Sequence, residues 1–402
     1  MPLPENIAAI FPYPASWTDS ITEGREYKTD IMRSRDGKEQ RRALRSKPRK
    51  SLSFDVLLEG TEASNFDYLM TGLQPHRWLL PMWQRPRRLT TAVSAGGNTL
   101  QFAAPVSYEL RSGDYLVLHR EGAEPEAQQV DTVSGDRLSV TLTDVLEADW
   151  PAHSHVYPTE AAQLHKGNSG RYITSGVLRA NMNFNCLVDA RAPVEPELTF
   201  DLMIGALEVL THPINWVNSL DVGYDWEPVL IDADIGPTAY ETDGDLASQT
   251  RKCEVLTETS DEVDWWFAFF DRCRGRQVPF LMPTWVDLGL EAPASPGATF
   301  EVPGTALGLY LLDNPTYTHL MLRLHSGNQA YYEIQAVAPD FELGVTVITT
   351  AESWGEAYNP WECVQACLVN TCRLASDRME ISWVTDEVAK ITFAVKTVED
   401  VV

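Results

Sequence analysis

The chain has no run of about 18 or more apolar residues, so no membrane-spanning helix, and no membrane insertion, is expected. Its opening residues, Met1-Pro2-Leu3-Pro4-Glu5-Asn6, carry no basic stretch followed by an apolar run, and no signal peptide is expected. Cysteine is scarce, with six irregularly spaced residues in 402, which favours free thiols in a reducing cytoplasm over a disulfide framework. Positive charge is also short: 32 Lys and Arg face 57 Asp and Glu, a net charge of −25. Such a chain repels nucleic acid and anionic membrane on average, which argues against DNA binding by the whole protein. The charge suits plain solubility, or a wall past which nucleic acid slides without sticking. The signatures of catalysis are missing too. There is no His-Glu-x-x-His, no Gly-x-Ser-x-Gly, no phosphate loop and no Rossmann glycine pattern. Among 57 acidic residues carboxylate pairs arise by chance, so none earns an acid/base role. No enzyme is expected.

What the chain does have is internal similarity. Pro14-Ala15-Ser16-Trp17-Thr18-Asp19-Ser20-Ile21 lies over Pro213-Ile214-Asn215-Trp216-Val217-Asn218-Ser219-Leu220 at an offset of 199, which also places Gly24 on Gly223. At 202, Arg49-Lys50 falls on Arg251-Lys252, and Trp78-Leu79-Leu80-Pro81-Met82-Trp83 on Phe280-Leu281-Met282-Pro283-Thr284-Trp285. Val133, Asp136, Ala162 and Leu164 match Val337, Asp340, Ala366 and Leu368 at 204; Arg171, Ser175, Val177 and Val188 match Arg378, Ser382, Val384 and Val395 at 207. An offset that creeps upward is what loop insertions leave behind in a duplicated chain, whereas chance similarity would scatter it. The period is too long for a solenoid.

Each copy opens on a Pro-x-x-Trp segment and a strand, then a hairpin with an Asp-Gly turn, Asp36-Gly37 or Asp243-Gly244. A second strand leads into one short helix, about 62–73 and 260–274, the latter with Thr-Ser-Asp-Glu as an N-cap and first-turn carboxylates. Several short strands follow in 86–157 and 286–360, including 99–102, 115–118, 129–133 and 138–142, a spacing that suits a small antiparallel barrel. Two closing strands, about 171–188 and 377–397, return to the first sheet. The expected organisation is a first β module at 1–85 plus 158–200 with an inserted domain at 86–157, and a second at 201–285 plus 361–402 with an inserted domain at 286–360.

Candidate ligands are few. Cys253, Cys273, Cys363, Cys367 and Cys372 all fall in the second copy, against Cys186 alone in the first. Their spacing matches no standard zinc motif; small buried hydrophobes in a reducing environment explain them, with a zinc or iron–sulfur site as the alternative. No cofactor is expected. His153-Ser154-His155 is the one histidine cluster, and a solvated turn explains it better than a metal. Trp265-Trp266-Phe267-Ala268-Phe269-Phe270 has the look of a sugar platform, but on a helix it points around the whole circumference and belongs in a core or a subunit interface. The strongest signal is the hairpin charge. Arg33, Arg35 and Arg42 of the first copy face Asp232, Asp234 and Glu241 of the second at offset 199, and Arg41 and Arg45 add to the basic side. Inverted charges favour unlike copies as neighbours. A ring of alternating copies, threefold in true symmetry and sixfold in shape, would follow.

The segment Trp17-Thr18-Asp19-Ser20-Ile21-Thr22-Glu23-Gly24, with Thr29-Asp30-Ile31 and Gly37-Lys38-Glu39-Gln40-Arg41-Arg42-Ala43-Leu44-Arg45, resembles the opening of distal-tail and minor tail proteins of long, flexible-tailed bacteriophages. The resemblance covers about the first 85 residues. It implies a tail-tube-like β fold with a long hairpin; taken with the duplication, the expected fold is mainly β, two tail-tube-like β-sandwich modules, each with one short helix and an inserted small β-barrel. It also implies a homo-oligomeric ring, trimer or hexamer, at the distal end of the virion tail, assembled in the host cytoplasm. The partners implied are the tail tube, tape measure and baseplate hub proteins, with phage DNA in transient passage. A typical hexameric distal-tail protein carries one such module, so a second copy departs from the pattern. The alternative is a receptor- or carbohydrate-binding tail protein using aromatic residues of the inserted domains; a wall hydrolase is a weaker third.

Overall fold

The computed structural model describes residues 6–34, 38–120, 122–187, 202–216, 220–225, 228–232, 234, 236, 238–242, 248–290, 297–310, 316–354 and 363–398. The fold is mainly β. The first half contains β1 (Ala9–Ile10), β2 (Ile21–Glu26), β3 (Thr29–Arg33), β4 (Glu39–Ala43), β5 (Arg49–Glu59), α1 (Thr61–Leu73) and β6 (Arg77–Pro81). Five short strands follow: β7 (Arg87–Arg88), β8 (Thr99–Gln101), β9 (Tyr115–His119), β10 (Glu126–Val133) and β11 (Ser139–Leu142). β12 (His155–Leu164), β13 (Ser169–Thr174) and β14 (Val177–Cys186) complete the half.

After a two-strand ribbon, β15 (Met203–Ile204) and β16 (Leu207–Glu208), the second half repeats the order. It runs β17 (Asp221–Asp225), β18 (Pro228–Ile231), β19 (Ala239–Thr242), β20 (Ser248–Thr257), α2 (Ser260–Cys273) and β21 (Phe280–Pro283). Its insert holds β22 (Gly297–Pro303), α3 (Ala306–Tyr310), β23 (Tyr317–Leu324), β24 (Gln329–Asp340) and β25 (Val345–Trp354). β26 (Cys363–Leu374), β27 (Arg378–Trp383) and β28 (Ala389–Thr397) close it.

Alternation of side chains explains the long strands. On β5, Leu52, Phe54, Val56 and Leu58 point inward, and β14 answers with Leu178, Ala180, Met182 and Phe184. Pairing follows one scheme in both halves: β2–β5–β14 with β14–β12–β6, and β17–β20–β28 with β28–β26–β21. The registers correct part of the sequence alignment. Gly24 pairs with Ser51 where Gly223 pairs with Thr250, so β5 lies on β20 at the offset of 199 (Ser51 to Thr250), not at 202. Pro81 pairs with Thr159 and Pro283 with Val369, which puts β12 on β26 at 210 (Thr159 to Val369) rather than 204. β13 and β14 lie on β27 and β28 at 211 (Tyr172 to Trp383, Leu178 to Ala389) rather than 207.

α1 and α2 lie where expected but differ in setting, whereas α3 falls in the second insert, where only strands were expected. Thr259 caps α2, its hydroxyl accepting from the Glu262 amide at 3.3 Å, and left-handed Arg274 ends it. α2 buries Val263 and the whole run Trp265 to Phe270. Each large side chain so buried contributes up to about 1.5–3 kcal/mol. The aromatic run is therefore core. α1 follows Gly60 without a side-chain cap and buries only Ala63 and Phe66. One apolar core spans both halves, and each insert has a cluster of its own, around Phe102, Leu118 and Trp150 in the first and Phe300, Leu320 and Ile348 in the second.

Candidate assembly interface

The halves are joined edge to edge. β2 of the first half pairs antiparallel with β27 of the second, from Ile21↔Trp383 to Glu26↔Arg378. The central sheet thus runs β13–β14–β5–β2–β27–β28–β20–β17.

Beside this seam sits a buried ionic network. Glu23 and Arg25, two residues apart on β2, project to one face, and Lys50 stands directly across from Arg25 on β5. The Arg25 guanidinium is fully buried. It donates to Glu109 at 2.6 Å, to Asp271 of α2 at 2.9 Å and to the Tyr108 hydroxyl at 3.3 Å, and lies over the Phe267 ring at 3.6 Å. Arg85 donates to Glu23 at 3.3 Å and to Asp264 of α2 at 3.1 Å. Lys50 reaches Glu109 at 2.8 Å and Glu160 at 2.7 Å. Tyr27 and Tyr108 both donate to Asp271, at 2.9 and 3.0 Å. The network ties the first module, its insert and the second module's helix together.

Burial and charge oppose each other here. Burial would raise the carboxyls of Glu23 and Glu109, but Arg85 and Arg25 hold the first below its usual range, and Arg25 and Lys50 hold the second well below. Asp264 and Asp271 are the reverse case: burial pushes both up against the pull of Arg85 on one and Arg25 on the other. Burial would lower the Lys50 ammonium, yet Glu109 and Glu160 raise it. Such groups are costly to bury singly and hold only as a satisfied set.

A second clamp closes the end of the seam. Asp377 accepts from the Thr29 amide and hydroxyl, both at 2.8 Å, and from the Arg276 amide at 2.9 Å and its guanidinium at 3.1 Å. Arg373 makes a two-pronged contact with Glu39 of the β3–β4 hairpin, at 2.6 and 2.9 Å. The first hairpin is therefore docked on the second module of its own chain.

The hairpin charges singled out in the sequence divide. Arg41 is turned toward Glu39 at 4.0 Å, and Arg45 donates to Glu26 at 3.2 Å. Arg33, Arg42, Asp232 and Asp234 are exposed. Arg35, both Asp-Gly turns and the Glu241 side chain lie outside the described residues. Cys253, Cys273, Cys367 and Cys372 are buried and Cys363 is half-buried, all as free thiols. Burial pushes the thiols of Cys253 and Cys372 up to about 12 and that of Cys367 to about 11. Among the described residues no three His, Cys, Asp or Glu side chains come together as a metal site. His155 lies across from His119 on β9, beside Trp83 and Tyr157.

Sequence reasoning passed over Glu23, Arg25, Lys50, Arg85, Asp264 and Asp271. β2 reads Ile-Thr-Glu-Gly-Arg-Glu, and charged residues at that density signal solvent, not a seam. No protein-family model matches the chain, and no curated protein matches it in sequence.

Proposed function

We propose that the chain is a structural ring subunit of a bacteriophage tail tip or baseplate that connects the tail tube to the distal hub and lines the DNA channel. The observation that supports this most is the edge-to-edge seam of two alike modules through β2 and β27. Sheets completed across module boundaries are how tube-like walls cover their edges. The resemblance of the first 85 residues to distal-tail and minor tail proteins supplies the setting. The buried network beside the seam ties the first half to α2 of the second and so stiffens the pair of modules, as a structural part requires. An acidic wall, at a net charge of −25, lets DNA pass under repulsion. Tail tube, tape measure and hub proteins are its neighbours in this arrangement, with a trimeric, pseudo-sixfold ring as the assembled form.

The test is to locate an epitope-tagged chain in purified phage particles by electron microscopy. Label at the distal end of the tail is expected; label on the head, or a chain missing from particles, would overturn the assignment.

One observation favours a second reading, in which the chain binds a receptor or carbohydrate. On the second insert Tyr310 and Phe341 are 82% and 71% exposed. Tyr310→Ala and Phe341→Ala would then reduce adsorption to host cells without altering tail assembly.

A further inference from the structure

Among the described residues the two ends of the central sheet are open: β13 pairs only with β14, and β17 only with β20, and every residue of both strands is exposed. Neither strand carries the lysine or proline that commonly blunts a sheet edge.

The counterparts of these strands are already joined inside the chain. β17 occupies in the second half the place of β2 in the first, since Gly223 faces Thr250 as Gly24 faces Ser51. β13 occupies the place of β27: Tyr172 pairs with Leu178 as Trp383 pairs with Ala389, and Leu178 and Ala389 pair in turn with Leu58 and Thr257. The seam β2–β27 therefore has an unmade twin, β17–β13, and one chain cannot make it at both ends.

The register carries over. Ile21↔Trp383, Thr22↔Ser382 and Glu23↔Ile381 become Leu220 with Tyr172, Asp221 with Arg171, and Val222 with Gly170. The first is an apolar–aromatic pair and the second joins opposite charges, both favourable across an antiparallel ladder. The helices agree. Phe267 of α2 lies beneath Arg25 of β2. At the shared offset of 199 (Phe267 to Tyr68, Tyr224 to Arg25), the same two places hold Tyr68 on α1 and Tyr224 on β17, exposed at 79% and 70%. Two aromatic rings stand where the internal seam has a cation over a ring.

We propose that β13 and α1 of one chain receive β17 of a second copy, in the antiparallel register that sets Arg171 against Asp221 and Tyr68 against Tyr224. The contact joins unlike surfaces head to tail, so copies of the two halves alternate and the array closes only as a ring. The inference rests on the ring-subunit reading and names the surface that makes the ring.

The test uses the full chain and a short bismaleimide cross-linker on Arg171→Cys, Asp221→Cys and the double variant, with the unaltered chain as background and native mass measurement of each. Apposed thiols react at a raised effective concentration, so a gain over background on the order of tenfold is expected. The double variant should give a ladder of linked chains. An equal mixture of the two single variants should stop at a linked pair, and each single variant alone should stay at background. Linked pairs from one single variant alone, or an assembled double variant that does not link, would overturn the junction while leaving the ring standing. A chain that stays monomeric at every concentration would overturn both.

Discussion

The Arg25 guanidinium lies 3.6 Å over the centre of the Phe267 ring, so a strand of the first half and the helix of the second meet in one buried contact. Arg25 also holds Glu109 and Asp271, and without it both carboxylates would lose a buried cation. Arg25→Met is expected to destabilise the chain by about 3–5 kcal/mol, because it strands buried charge. Phe267→Ala should cost a similar amount, about 3–5 kcal/mol, through a cavity. The double variant should cost less than the sum if the two side chains act as one contact. Urea denaturation of the four proteins checks this.

The carboxyls beside Arg25 set opposite pH dependences. Glu109, ordinarily at 4.5, is held lower in the fold by Arg25 and Lys50 in spite of burial. Its stabilisation is present above pH 4.5 and is lost as pH falls toward its folded value. The stability gap between the native chain and Glu109→Gln should therefore be largest near neutrality and close in acid. Asp264, ordinarily at 3.8, is raised by burial. Its favourable share is present below 3.8 and disappears as pH rises through the folded value, so Asp264→Asn should gain on the native chain as pH rises. Denaturation midpoints at several values from about pH 2 to about pH 7 separate the two.

Asp377 fixes the end of the seam with four accepted hydrogen bonds. Asp377→Ala should lose about 2–4 kcal/mol, since donors on buried Thr29 and half-buried Arg276 are left unmet. Gly275 sits at φ 67 with room for no side chain: a Cβ there would lie 2.6 Å from the Asp377 Oδ1 atom. Gly275→Ala should cost about 1–3 kcal/mol. Thermal unfolding ranks both against the native chain.

The thiols should differ in reactivity. Cys363 is half-buried, whereas Cys186, Cys253, Cys273, Cys367 and Cys372 are buried with their thiols pushed up. Cys363 should react first with a thiol reagent, and the others only as fast as the chain opens. Rapid labelling of buried cysteines in the native protein would contradict this placement.

The β class and the places of α1 and α2 were legible because they rest on local pattern. Register was legible only in part. Ala162 on Ala366 and Leu164 on Leu368 matched by identity, yet the pairings set Ala162 on Cys372, six residues further. An even slip keeps inward residues inward, so hydrophobic pattern does not detect it. The match of Arg49-Lys50 with Arg251-Lys252 slips by an odd number and puts exposed Arg49 on buried Arg251, a mismatch visible only once burial is known. The seam itself left no local trace. β2 and β27 lie at opposite ends of the chain, and Glu23, Arg25 and Arg85 look like ordinary surface charge until their partners on α2 and around Tyr108 are in place.

The copy number of the assembled ring, by native mass measurement or by symmetry in electron micrographs, tests the central claim most directly. Three copies of the 45.0 kDa chain, six modules in alternation, is the expected result. Six copies in the ring, or a chain that never assembles, would contradict it.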